Sequence, residues 1–485
     1  MAIFKAINHS DWNLAMPTNR SDKKNFSFPG DNNITNNGIS AFVTTFNRFF
    51  RAHRYNNTPT AIGYIEGLMA CERGKANMER MEEEVPDSEY RAYQQFISNS
   101  NWDCVGLVQQ LGIDTSKLMK ANKTKTGKPT GLIVDESSHL KKGKESVGVG
   151  RQYAGTIGKV DNCQVGVYCS MVNDTKATLV NQRLFLPSGW ASDFGRCKAA
   201  GIPQENMVFK TKPELALEMF DELIAQGVEF DWIGGDGLYG HNTALCQGLE
   251  QRGQFYVLDV HKDELIYLKE PIFSIPQKKG GKGRTPKKLK ADQPSIRLDK
   301  YLKTLRESDW TTETIRKTAK GWLKLKVHKA SIWTWDGKSD QARRQTLIIT
   351  QTTDGRNETK FGFSNGRLDE YSRQEYAYFQ AQRYWVERTF QDAKGELGLS
   401  DYQVRKWTSW HHHHALVMLA CLYLLKIKVE NEPDYPLISV RDARILLIIK
   451  IFGTRMDYQK RLSQMNNRHL IRQADIDRRY RFDCS

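Results

Sequence analysis

Gly131-Leu132-Ile133-Val134-Asp135 decides the fold. The run is too short for a helix, carries the β-branched Ile133 and Val134, and passes from a glycine to a closing acid, which reads as a buried β-strand. A second run of the same form, Phe230-Asp231-Trp232-Ile233-Gly234-Gly235-Asp236, lies downstream. Between the two, Val147-Gly148-Val149 and Gln164-Val165-Gly166-Val167-Tyr168-Cys169 alternate at period two, and the stretch from Thr178 to Leu186 reads as another strand. Strands joined directly by turns predict a meander. Glu214 to Ala225 and His241 to Arg252 have helical spacing, and Phe255-Tyr256-Val257-Leu258-Asp259-Val260 predicts a fifth strand.

The resulting order, β-β-β-α-β-α-β, is that of an RNase H-like mixed-sheet core, an α/β fold. Upstream, Phe42, Phe46, Phe49 and Phe50, then Ile62, Ile65, Leu68 and Met69, recur at three and four residues, which predicts a helical bundle. Arg48, Arg51, Arg54, Arg73, Lys75 and Arg80 give it a basic face, either a solvated surface or a DNA contact. Downstream, strand-like pieces (Leu323 to His328, Ser331 to Trp335, Gln345 to Gln351) and a basic run from Lys278 to Lys290 predict a β-rich insertion with a loop. Helices resume near Tyr371, and Ala415 to Leu425 and Arg441 to Phe452 are apolar enough to pack at the C-terminal end. The expected division is an N-terminal helical DNA-binding domain over 1–125, a core over 126–262 and 370–405, the insertion over 263–369, and a C-terminal helical region over 406–485.

The 485 residues carry 72 basic and 56 acidic side chains, a net charge of +16 and a pI near 9.3. That balance favours a polyanionic partner and points to nucleic acid. No apolar signal core opens the sequence and no apolar run is long enough to span a bilayer, so a cytoplasmic, nucleoid-associated protein is expected, without membrane contact. Eight scattered cysteines lack any Cys-x-x-Cys pair or zinc spacing and read as reduced, buried small hydrophobes.

Asp135 and Asp236 stand at the carboxyl ends of strands, where open α/β sheets place ligands. Singly, each reads more readily as a turn or cap residue. Glu387 lies in Gln382-Arg383-Tyr384-Trp385-Val386-Glu387-Arg388-Thr389-Phe390-Gln391-Asp392-Ala393-Lys394, with Arg383 and Lys394 at offsets of four and seven, on one helical face. An Arg383–Glu387 surface ion pair is the bland reading. Three carboxylates delivered by two strands and a helix can instead hold a pair of hard divalent cations, which predicts metal-dependent phosphoryl transfer on DNA. Of His411 to His414, only the first and last share a helical face, so the run reads as structural.

Several stretches carry a family resemblance: Val134-Asp135-Glu136, Lys141 to Val149, Arg151-Gln152-Tyr153, Asn162 to Val167, Gly235-Asp236-Gly237-Leu238-Tyr239-Gly240, and Phe390 to Leu399. From about Phe46 to Leu419 the chain resembles DDE transposases of bacterial insertion sequences, the "IS four" superfamily and most of all its "IS seven-oh-one" branch. The resemblance implies cut-and-paste cleavage of transposon ends and strand transfer. It implies two Mg²⁺ ions, for which Mn²⁺ can substitute, on Asp135, Asp236 and Glu387. It also implies a homodimer in a synaptic complex on double-stranded DNA, bound at terminal inverted repeats and at target DNA. Arg383 and Lys394 match the family's signature Arg and Lys and would hold the DNA backbone; the signature Tyr is replaced by Gln380. Further expected DNA contacts are Lys141, Lys142, Lys144, Arg151 and Tyr239 around the first two catalytic strands, and Lys282, Arg284, Lys287 and Lys288 in the insertion's loop. Related enzymes stack a flipped base on an aromatic residue of the insertion, but Trp310, Trp322, Trp333 and Trp335 read first as core residues. The alternative is a domesticated DNA-binding protein that keeps the fold without cutting.

Overall fold

Gly131 lacks a side chain because Trp232 needs the room: a Cβ on Gly131 would lie 2.3 Å from the indole of its parallel neighbour. This pairing sits at the centre of a ten-stranded sheet in a computed structural model that describes residues 38–52, 54–277, 286–318, 321–356, 358–432 and 438–452. Its core strands are β1 (Thr130–Leu140), β2 (Gly150–Ala154), β3 (Lys159–Asn173), β4 (Lys176–Leu184), β5 (Trp232–Gly235) and β6 (Tyr256–Val260). β1 pairs antiparallel with β3, and β3 with both β4 and β2. On its other side β1 pairs parallel with β5, and β5 with β6. The spatial order β4-β3-β1-β5-β6, antiparallel then parallel, is the RNase H-like arrangement that the sequence predicts.

Four further strands, β7 (Thr311–Thr318), β8 (Gly321–Thr334), β9 (Arg343–Thr352) and β10 (Thr359–Ser364), come from the expected insertion. They extend the core sheet, because β10 pairs antiparallel with β6 and covers its open edge. An unpaired parallel edge is a liability that this pairing removes. Two expectations need correction here. The two pieces expected between Leu323 and Trp335 belong to one continuous strand that ends at Thr334, and Val147 to Val149 form a turn, in which Gly148 takes a left-handed φ of +69°.

The described helices include α1 (Thr58–Ala70), α2 (Tyr90–Ser98), α3 (Cys104–Thr126), α4 (Lys212–Ala225), α5 (Thr243–Gln251), α6 (Arg373–Gln382), α7 (Tyr384–Glu396), α8 (Trp407–Asn431) and α9 (Val440–Phe452). α4 starts at a Thr211/Glu214 capping box and α6 at a Ser372/Glu375 box, each reciprocally satisfying free backbone donors. Alternation along the strands sorts the two faces of the sheet. Leu132, Val134, Ile233 and Leu258 pack under α4 and α5 with Met219, Phe220 and Leu249. Ile133, Trp232 and Val257 point the other way, into the core shared with Tyr376 and Phe379 of α6 and Val386 and Phe390 of α7. Among the described residues no helix is long and apolar enough to cross a membrane.

Candidate active site

Period-two alternation, continued past the apolar rows, builds the site. Asp135 follows Ile133 by two, Asp236 follows Trp232 by four, and Asp259 follows Val257 by two, so all three acids fall on the face covered by α6 and α7. Val134 is level with Gly235 across the parallel pair, which puts Asp135 and Asp236 on adjoining strands just beyond that last rung. β1 itself continues to Leu140 because β3 still pairs with it. Asp135 therefore ends the parallel pairing without ending its strand, which corrects the sequence expectation.

Each of the two aspartates has one oxygen committed to backbone: Asp135 Oδ1 accepts from the Glu136 N–H at 2.8 Å, and Asp236 Oδ1 accepts from the Leu238 N–H at 2.9 Å. Burial, with Asp236 and Glu136 close by, pushes the Asp135 carboxyl up to about 7 against the opposing pull of Arg383. Burial and Glu136 also raise Asp236. This paired carboxylate set is short of positive charge, and hard oxygen donors in that state suit Mg²⁺ or Mn²⁺.

Glu387 stands apart from that pair. The polypeptide breaks its helix at Arg383, between α6 and α7, and Arg383 Nη2 donates to Glu387 Oε1 at 2.8 Å while Nη1 lies 3.9 Å from Asp135 Oδ2. The Glu387 side chain is 54 % exposed, more open than the buried-side acid expected from the helix, whose inward face is Val386, Phe390 and Ala393. Among the described residues no three Asp, Glu, His or Cys side chains gather as a ready-made metal cage. The expected convergence is thus direct for Asp135 and Asp236, and runs through a guanidinium for Glu387.

Arg383 also donates from Nε to Asp259 Oδ2 at 2.9 Å, and Gln380 Nε2 donates to Asp259 Oδ1 at the same distance. Burial works against the Arg383 charge, but Asp259, Glu387 and Asp135 outweigh it and raise its pKa. Sequence reasoning passed over Asp259 and Glu136. Asp259 was within reach, since it closes the apolar run Tyr256-Val257-Leu258 just as Asp135 closes its own.

The DDE superfamily endonuclease family matches residues 46–321, more than half of the chain. The chain belongs to that family. The matched span contains Asp135, Asp236 and Asp259 and stops before the helix that carries Glu387. A probable transposase for insertion sequence element IS701 from Microchaete diplosiphon is 27% identical over 177 residues, which is 35% of this chain and 40% of that protein. The chain therefore aligns with well under half the length of that relative. A cryo-EM structure of a piggyBac transposase synaptic complex with hairpin DNA overlaps 69% of this chain and 57% of its own at 11% identity, with a TM-score of 0.34, too weak a likeness to place any residue.

Lys394 Nζ, its pKa lowered by burial, donates to the Ser138 carbonyl at 3.1 Å and the Thr156 hydroxyl at 3.2 Å. Lys142, Lys144 and Arg151 are exposed. Lys141 is turned inward: its ammonium donates to the Tyr402 carbonyl at 2.7 Å and lies 3.5 Å over the Tyr402 ring. Tyr239 is fully buried and donates to Glu136 Oε2 at 3.1 Å, so a DNA contact is not open to it in this arrangement. Lys212 takes the other oxygen of Glu136 at 2.8 Å, which fixes that acid on the opposite face of the sheet. Lys287 and Lys288 are exposed, whereas Lys282 and Arg284 lie outside the described residues. His412, His413 and His414 are buried in the α8 core, with His412 stacked on Trp102 at 4.1 Å, as the structural reading expects. Trp335 stacks on Phe273 and Trp310 packs into the insertion's core, while Trp322 is 57% exposed.

Proposed function

We propose that this endonuclease-family chain is a DNA transposase that cleaves the ends of its element and joins them to target DNA by cut-and-paste transfer. The observation that carries the reading is the Asp135–Asp236 pair on adjoining parallel strands, with Arg383 linking Glu387 to it. Asp135, Asp236 and Glu387 are the residues that would hold Mg²⁺ or Mn²⁺, and two such ions supply Lewis acidity at a phosphodiester. The chain's own part is to present deprotonated carboxylates, to keep α7 seated on the sheet, and to bring cations to the DNA backbone.

Arg383, which touches Glu387 and Asp259, and Lys394, further along α7, are the proposed backbone contacts nearest the scissile bond. Lys142, Lys144, Arg151, Lys287 and Lys288 would guide the flanking duplex. Residues 126–262 and 370–405 would form the catalytic unit, and the helices before it would bind inverted repeats within a homodimer. The 27%-identical relative named for insertion element IS701 supports the substrate class.

The test uses purified full-length protein, DNA carrying the inverted repeats that flank its reading frame, and Mg²⁺ or Mn²⁺. Nicking or double-strand cleavage at the repeat ends is expected, with Asp135→Ala and Asp236→Ala abolishing cleavage and retaining DNA binding. Cleavage that survives in both variants would overturn the reading, and DNA binding without cleavage by the wild type would favour the non-cutting alternative.

A further inference from the structure

Asp259 occupies the same position on β6 that Asp135 occupies on β1, yet it is not arranged as a ligand. Both of its oxygens are taken, one by the Gln380 amide and one by Arg383 Nε, each at 2.9 Å. Gln380 is itself fixed, accepting from the Thr350 hydroxyl of β9 at 2.7 Å. Space for this amide is reserved on β10: Gly362 is level with Asp259, and a Cβ there would lie 3.0 Å from Gln380 Nε2. Two strands of the insertion, one core strand and the break between α6 and α7 thus meet at one carboxylate.

The other end of the same guanidinium faces two of the candidate metal ligands. Nη2 bonds an oxygen of Glu387 that a metal would need, and Nη1 approaches Asp135 at 3.9 Å, beyond hydrogen-bonding distance. We propose that Asp259 is the positioning residue of the site: it anchors Arg383 as a built-in cation between Asp135 and Glu387, which a divalent ion turns aside on binding while Nε stays on Asp259. This rests on the metal-binding reading above. Anchored at Nε, the guanidinium can release the two acids without leaving the site, and remains beside them to meet a phosphate oxygen. Unanchored, it would close on Asp135 and Glu387 and compete with the ion.

Mn²⁺ titration of the metal-free, DNA-free full-length protein, read by calorimetry or by the electron paramagnetic resonance of unbound Mn²⁺, tests this. Asp259→Asn is expected to weaken Mn²⁺ binding by about tenfold. Arg383→Gln is expected to tighten it, and Asp259→Asn in the Arg383→Gln background should then have no further effect. An Asp259→Asn loss that persists undiminished in that background, or an Arg383→Gln variant that binds no more tightly than wild type, overturns the proposal. If Asp259→Asn fails to fold, Gln380→Met removes only one of the two bonds on the carboxylate and should weaken Mn²⁺ binding in the same direction by less. Unchanged affinity in that variant counts against the anchor. Asp135→Ala separates the two levels: if wild type and Asp135→Ala bind Mn²⁺ alike, the metal-site reading itself has failed.

Discussion

At the scale of single residues, the Asp135 carboxyl couples the site to pH. Its folded pKa of about 7 lies above the unfolded value near 3.9, so the folded chain keeps a proton that the unfolded chain gives up between those values. Stability of the metal-free protein should therefore fall as pH rises through that window, and the penalty should be complete above pH 7. Asp236, Glu136 and Arg383 are the charged groups facing it. Asp135→Asn carries no such penalty, so its stabilising effect in urea unfolding with chelator present should be small at pH 5 and reach up to a few kcal/mol at pH 8. A pH-independent difference would show that burial at this position does not disfavour the charge. Tyr239→Phe makes a second residue-scale test, because the phenol bonds Glu136 from a fully buried position. Loss of about 1 kcal/mol of stability with DNA affinity unchanged is expected, whereas lost affinity at intact stability would restore the DNA role. Asp135 and Asp236 were legible because an acid closing a short apolar run is a local pattern. The Arg383 bridge was not, since its three partners lie on β1, β6 and α7 and only the last is near in sequence.

Among the elements, strand identity could be read locally but strand length could not. β1 runs past Asp135 because a partner remains on one side, and β8 is one long strand because β7 and β9 flank it. Pairing with a distant segment is invisible to a window of a few residues. The same holds for the helix break at Arg383, which separates α6 from α7 and lets Gln380 and Arg383 reach one carboxylate. At the far end of α7, Lys394 straps the helix to β1 through the Ser138 carbonyl and to the β2–β3 turn through Thr156. Lys394→Met keeps most of the side chain's packing and removes a desolvated charge together with its bonds, so stability should move by no more than about 1 kcal/mol. If Lys394 also grips DNA, the variant should lose cleavage, and the salt dependence of DNA binding should fall by roughly one unit of slope. An unchanged slope would leave it as a strap alone.

Over the whole molecule, the expected separate N-terminal and C-terminal helical parts share one core. Phe42 packs on Tyr423, the Tyr64 hydroxyl pairs with His413 at 2.9 Å, and Arg444 of α9 donates to the Met69 and Cys71 carbonyls at the end of α1. A chain of net charge +16 should bind duplex DNA with a strong salt dependence, each neutralised phosphate adding about 0.9 to the log–log slope. Position in the fold then decides which cations count. Lys142, Lys144 and Arg151 are exposed beside β1 and β2, so replacing all three by Ala should lower affinity for any duplex sequence and reduce the slope by roughly three. Lys141, their neighbour, sits against Tyr402, where burial pushes its pKa down to about 8. Lys141→Met should therefore leave the slope unchanged, as measured by fluorescence anisotropy across a series of salt concentrations. Equal slope losses per residue in the two variants would mean that Lys141 swings out to DNA on binding, and that the segment after β1 rearranges when the duplex arrives.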